Sequence, residues 1–282
     1  MKKFLLIFFF SSALLCFGAT EGKGVRVVSL SPNMTETIFA LGMEKCLVGR
    51  SNACDYPEAA KKIPVAGRFG VPNIERVIAL KPDYIVSSAF QDKAMVTRLK
   101  QFGVKVLFLP GDSFDDYFKN LKVLGDILHC PEKAENLCRT YKAELETFKR
   151  EAKKTPERDR PKVLFVIWDL PLMTVGKNSF ITDMVELAGG KSVTASYSKA
   201  YFNCSLEWVL AHPPDVLVLC KIPERRAEEL INRPGWEGLE AVKNKRFYSV
   251  DSDLVCRMGP RSFDGIRALQ KIFKKVEANQ KP

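Results

Sequence analysis

The stretch 131–155 constrains this chain more than any other, because its spacing predicts one uninterrupted helix with an α/β pattern on either side. Pro131 suits a first helical turn, Glu132 lies at the positive end of the dipole, and Pro156 stops the run. Ala134, Leu137, Tyr141, Leu145, Phe148 and Ala152 recur three and four residues apart, which makes one apolar stripe. Glu135/Arg139 and Glu146/Arg150 are spaced for i,i+4 pairing on the exposed side. A rod of this length reaches roughly 37 Å, enough to span two lobes.

Upstream of the rod, short β-branched runs alternate with helical periods. Residues 25–30 read as a strand, with Asn33 or Thr35 as the cap of a helix that turns Ile38, Phe39 and Leu41 inward and stops at Gly42. A second strand at 46–49 precedes two loops, 51–57 with Asp55 and Tyr56, and 63–72 with Phe69. Helix 74–80, the Lys81-Pro82-Asp83 turn and strand 84–87 form a compact unit, followed by helix 94–102, strand 105–109 and a helix from 114 to about 128. Downstream the alternation restarts: strand 162–168, helix 179–188, a loop at 200–203 with Tyr201, helix 206–211, strand 216–219, strand 246–250, loop 251–260 and a closing helix from 261 to about 276. Alternating strands and helices imply parallel pairing. The predicted class is therefore α/β, with two Rossmann-like lobes, 20–130 and 157–282, bridged by a helix at 131–156.

The first residues are a separate matter. Lys2 and Lys3, an apolar run from 4 to 17, then Gly18 and Ala19 have the three-part layout of a secretory signal peptide, which predicts removal of 1–19 and work outside the cytoplasm. Cys16 is the alternative, a lipid-attachment cysteine, although Leu15 is bulky where a small residue is expected. Losing the leader lowers the formal charge of +11 by two, and the remaining Lys and Arg are scattered among acids without an aromatic-interleaved basic run, which points away from nucleic acid. Cys46, Cys54, Cys130, Cys138, Cys204, Cys220 and Cys256 remain with no CxxC spacing; Cys130 and Cys138, flanking the first turns of the long helix, are the expected disulfide if one forms. Cys54, Cys204 and Cys256 all fall on predicted loops, yet lack a metal-binding spacing. His129 and His212 are the only histidines, too few for a zinc or manganese site, and neither a G-x-S-x-G elbow nor an HExxH helix appears. No metal centre and no catalytic residue are expected; a secreted enzyme is the alternative from another class.

The two helix–turn–strand units match at a constant offset of 132 residues (Glu75 to Glu207). Glu75, Val77, Ala79, Pro82 and Asp83 recur as Glu207, Val209, Ala211, Pro214 and Asp215. The apolar members need only pack a helix on a strand. Glu75 and Glu207 each stand in a first helical turn, after Asn73 or Ser205, where the helix dipole favours an acid. One exposed acid at the same place in each lobe also makes matched docking points for a partner with two-fold symmetry.

The run Val25-Arg26-Val27-Val28-Ser29-Leu30-Ser31-Pro32-Asn33-Met34-Thr35-Glu36, with Cys54-Asp55-Tyr56-Pro57, Asn73-Ile74-Glu75-Arg76-Val77 and Leu80-Lys81-Pro82-Asp83, resembles the substrate-binding proteins of cobalamin and ferric-siderophore importers, most closely their cobalamin-binding members. The resemblance covers nearly the whole mature chain. It implies a monomer of two lobes around a ligand cleft, with little hinge closure, that captures a corrinoid and hands it to a dimeric ABC permease with its ATPase subunits, without a prosthetic group. Glu75 and Glu207 fall on the family's two permease-docking carboxylates. Tyr56, Phe69 and Tyr201 match aromatic positions of the cleft, where flat walls suit a planar macrocycle, and Asp253 and Arg257 match polar residues on its final loop. Pro260-Arg261 fits as well. Departures are Ser88 and Met173 where aromatics are expected, and Ala188 and the region of Gln270 where a cysteine pair is expected. They leave haem or a ferric siderophore open as cargo. Haem would need an axial ligand such as Tyr56 or Tyr201; a siderophore would favour Arg68 or Arg257.

Overall fold

The computed structural model describes residues 24–220 and 224–278. The expected leader at 1–19 and Cys16 lie outside them. No helix among the described residues is long and apolar enough to cross a membrane.

The first lobe runs β1 (Val27–Ser29), α1 (Pro32–Ala40), β2 (Leu47–Ser51), β3 (Val65–Arg68), β4 (Val71–Pro72), α2 (Ile74–Leu80), β5 (Tyr84–Ser87), α3 (Lys93–Gln101), β6 (Lys105–Phe108) and α4 (Phe114–Ile127), and leaves by α5 (Pro131–Ala152). The second runs β7 (Lys162–Asp169), β8 (Leu172–Val175), α6 (Phe180–Leu187), β9 (Lys191–Ser192), β10 (Tyr201–Asn203), α7 (Leu206–Ala211), β11 (Val216–Cys220), α8 (Glu224–Ile231), α9 (Glu240–Lys243), β12 (Phe247–Val250), α10 (Ser252–Val255) and α11 (Ser262–Ala278). One sheet has the order β4-β3-β2-β1-β5-β6 and the other β10-β8-β7-β11-β12, with β9 beside β7. The trio β1-β5-β6 is parallel and in the same order as β7-β11-β12. The lobes differ on the other flank, where β3–β4, β7–β8 and β8–β10 pair antiparallel.

The internal repeat has a hydrogen-bonding reason. The Asp83 carboxylate accepts from the Arg26 amide at 2.8 Å, and the Asp83 amide donates to the Arg26 carbonyl at 2.8 Å. In the second lobe the Asp215 carboxylate accepts from the Lys162 amide at 2.7 Å, and the Asp215 amide donates to the Lys162 carbonyl at 2.8 Å. Each Pro-Asp turn thus clasps the start of its lobe's central strand, satisfying backbone groups that the sheet leaves open there.

Strand side chains alternate between two layers, as a period of two requires. Val27 faces an inner core and Val28 an outer one; Val163, Phe165, Val216 and Val218 point inward while Leu164, Val166, Leu217 and Leu219 point outward. The outer layers are separate, one per lobe, but the inner layer is shared. It joins Val27, Met34 and Leu121 of the first lobe through Ala134, Leu145 and Phe148 of α5 to Val163, Met184 and Phe273 of the second. At its centre Tyr141 of α5 stacks on Phe263 of α11 at 4.3 Å, and Phe114 meets Phe263 edge-on at 5.8 Å. Gly125 of α4 permits the helix contact, since a Cβ there would stand 2.5 Å from the Ala134 Cβ.

Several expectations are corrected. The bridging helix ends at Ala152, before 155, because Arg160 Nη2 donates to the Ala152 carbonyl at 2.8 Å and caps the last turn. The first helix starts at Pro32 behind Ser31, and neither Asn33 nor Thr35 caps it: Thr35 Oγ1 donates to Ser29 Oγ at 2.8 Å. Residues 201–203 are a strand, made regular by β8, itself read from sequence as no element at all. The loop 251–260 contains α10. Cys130 and Cys138 are not bridged. Eight residues along one helix separate them by about 12 Å, far beyond disulfide reach.

Candidate functional site

In parallel sheets the strand ends that carry ligand loops are the carboxyl ends. Here those ends of the two sheets face one another. Asn33, just beyond β1, donates from Nδ2 to the Met258 carbonyl of the opposite lobe at 3.1 Å. Ser88, beyond β5, donates from Oγ to Asn33 Oδ1 at 3.1 Å, and its amide donates to Ser31 Oγ at 3.0 Å. The position where an aromatic was expected is therefore part of a polar floor. Gly111, beyond β6, closes it, with its missing Cβ 3.1 Å from Asn33 Nδ2 and 3.6 Å from the Met258 Cβ.

Charged groups complete the floor. Glu36 of α1, with its side chain 2% exposed, is gripped by Arg261 of the second lobe, Nε at 2.9 Å and Nη2 at 2.6 Å. Arg257 Nη1 stands 3.2 Å from Asp55 and 3.7 Å from Glu36, and its Nη2 stands 3.0 Å from Asp253. Burial pushes the Glu36 carboxyl up from its ordinary value, against the opposing pull of Arg261. Burial also opposes ionisation of Asp55, but the Arg257 guanidinium holds that carboxyl below its usual range. Arg257 is thus shared among acids from both lobes, and Asp253 serves to orient it. Such a floor offers directed hydrogen bonds more readily than a bare cation.

Four exposed aromatic rings lie at strand ends and loops, and two of them, Tyr56 and Tyr201, stand beside residues of the floor or its loop. Tyr56 is 48% exposed and its inner face carries the Arg261 guanidinium at 4.2 Å. Phe69, 39% exposed, rides the β3–β4 turn. That turn is pinned by the Gly70 amide on the Leu30 carbonyl at 3.0 Å and by the Gln91 amide on the Gly70 carbonyl at 3.2 Å. Gly70 adopts φ +65° and lies so close to the Ala89 carbonyl that a Cβ would stand 2.6 Å from it. Tyr201, 47% exposed, opens β10; burial pushes its phenol up, and its surroundings include Ser179, Cys256 and, from the opposite lobe, Asp112. Trp168, 50% exposed, is a further ring, one that the sequence pattern does not single out. It extends past the part of β7 that pairs with β11 into the β7–β8 hairpin, where Nε1 donates to the Leu170 carbonyl at 2.9 Å. The available signal was its place at the carboxyl end of a parallel strand.

The structure brings together Tyr56, Asp55, Asp253, Arg257 and Arg261 by direct contact, and places Tyr201 beside Cys256 of the same loop. Met173 pairs with Asn203 in the sheet. Arg68 lies elsewhere, lining a cavity of about 460 Å³ with Asn73, Glu75, Arg76 and Arg98. Glu75 and Glu207 are both exposed in first helical turns, behind the capping side chains of Asn73 and Ser205. The Ser205 hydroxyl holds Glu207 below its ordinary value. Cys54 is buried against Ser51, and no three His, Cys, Asp or Glu side chains among the described residues are grouped to hold a metal.

The model of the periplasmic binding protein family matches residues 27–254. The chain belongs to that family of substrate-binding proteins. It is 32% identical over 250 residues to an uncharacterised ABC transporter substrate-binding lipoprotein, YvrC, of Bacillus subtilis, covering 86% of this chain and 78% of that one. It is 29% identical over 270 residues to the vitamin B12-binding protein of Vibrio vulnificus, covering 95% of this chain and 97% of the relative. Among solved structures, the apo periplasmic heme-binding protein RhuT of Roseiflexus sp. RS-1 superposes with a TM-score of 0.80 at 25% identity, covering 90% of this chain and 99% of that one. The two-lobe architecture is that of the family.

Proposed function

We propose that this family member is a non-catalytic receptor that captures a corrinoid between its lobes and delivers it to the dimeric permease of an ABC importer. The carrying observation is the combination of four half-exposed rings, Tyr56, Phe69, Trp168 and Tyr201, with a floor of shared hydrogen-bonding charges. Rings bury the faces and edges of a planar macrocycle, while Asp253 and Arg257 orient the amides on its rim. The vitamin B12-binding relative, aligned along nearly its whole length, supports the same cargo. Glu75 and Glu207 serve as permease-docking points, one per lobe. Export by the 1–19 leader places the receptor outside the cytoplasm, with acylation of Cys16 as the alternative that the lipoprotein relative supports.

Haem is the second reading, favoured by the likeness to a heme-binding structure. Tyr56 and Tyr201, both about half exposed, are the phenols that could serve as its axial ligand.

Calorimetric titration with cyanocobalamin, haem and a ferric siderophore side by side tests the proposal. Saturable one-to-one cobalamin binding is expected, weakened about tenfold by truncating Tyr56, Phe69, Trp168 or Tyr201 to Ala, a loss of about 1.4 kcal/mol each. Binding of haem or siderophore alone would discard the corrinoid and retain the receptor.

A further inference from the structure

We propose that Cys220 and Cys256 form an oxidisable dithiol whose disulfide staples the final cleft loop to the sheet of the second lobe. Cys220 is the last residue of β11 and is buried; Cys256 follows α10 and reaches solvent. Their sulfurs lie 3.0 Å apart although 36 positions separate them in sequence. The topology explains the meeting. Val250, the end of β12, is in register with Cys220, and α10 then folds the chain back over the strand ends, closed by the Cys256 amide on the Ser252 carbonyl at 2.7 Å. A contact at this distance needs only about 1 Å of approach to reach bonding length.

The chemistry of the two thiols agrees with the geometry. The hydrogen bond from Cys220 holds the Cys256 thiol below its ordinary value, with Arg257 assisting and burial, Asp253 and Asp251 opposing. Burial pushes Cys46, Cys54, Cys130 and Cys138 the other way, and Cys204 up to about 11. Cys256 is therefore the attacking group and Cys220 the resolving one. The Cys256 thiolate attacks one sulfur of a small-molecule or protein disulfide, whose S–S bond breaks and releases one thiolate. The Cys220 thiolate then attacks Cys256 Sγ in the mixed disulfide, forming the internal bond and releasing the second thiolate. Two electrons pass to the oxidant, and the two cysteine protons end on the two released thiols. Because Asp253 and Arg257 bracket Cys256, the staple would fix the side chains assigned to the ligand rim.

The geometry stands apart from the identity of the cargo; that the bond forms in the cell rests on the export reading, since disulfide oxidants act outside the cytoplasm. The test exposes the reduced, leader-free chain to glutathione disulfide, then denatures, alkylates, digests and maps the peptides by mass. A Cys220–Cys256 linked pair is expected before any other cysteine reacts, with a melting temperature raised by about 5 °C. In Cys220→Ser, a glutathione adduct should accumulate on Cys256. Full alkylation of both residues, a persistent adduct on wild-type Cys256, or a link from Cys256 to any other cysteine would overturn the proposal. A pair that forms in the tube while protein from its own cells is reduced would uphold the dithiol and overturn the export reading.

Discussion

Glu36 shows how a single residue was half legible. Its motif was visible, but its role was not, because its partner Arg261 lies 225 positions away and only the fold brings the two together. The same holds for Asp55 and Arg257, 202 positions apart. The resemblance singles out Tyr56, Phe69 and Tyr201, and each is exposed in the fold, whereas Trp168 reads as an ordinary strand residue and only the fold shows its exposure. With its folded pKa raised by burial, Glu36 is protonated more readily in the fold than in the unfolded chain, so its contribution to stability declines as pH rises from the ordinary carboxyl value through the folded one. Replacing Arg261 by Gln removes the opposing pull and widens that window. At pH 7 the variant should lose about 3 kcal/mol, as expected for a buried carboxylate deprived of its bidentate partner. In urea unfolding at about pH 4.5 the loss should shrink as the carboxyl takes up a proton. An equal loss at both pH values would show that packing, and not charge, is at stake.

At the scale of elements, long periods were legible and short edges were not. α5 announced itself through its stripe of apolar residues, and only its end was misplaced, by a capping arginine from beyond the helix. β8 and β10 are four and three residues long and antiparallel, too short to display an alternation, and each is defined by its neighbour. The contact between α4 and α5 depends on Gly125. Gly125→Val should destabilise the protein by about 1–3 kcal/mol through overpacking against Ala134. Denaturant midpoints would read this, and an unchanged midpoint would mean that the helices can move apart.

For the molecule as a whole, the sequence suggested two lobes with a rod between them, and the inner core turns out to be common to both. Calorimetry should therefore record one unfolding transition; two well-separated transitions would contradict a shared core. The docking role proposed for Glu75 and Glu207 is separable from capture, because neither acid contacts the cleft floor in any hydrogen bond or ion pair of the described residues. Reversing both charges should abolish uptake in cells while leaving ligand affinity within about twofold; a matching fall in affinity would place these acids at the cleft instead. The repeated trio of strands carries a division of labour. The acids proposed for docking and every charged floor residue but Asp55 arise from segments next to the trio, while Tyr56, Phe69 and Tyr201 come from the flank where the lobes diverge and Trp168 from the end of β7 that enters the hairpin to β8. A change of cargo then asks mainly for new side chains on two peripheral modules, and the frame that carries the proposed docking acids can pass unaltered from one cargo to the next.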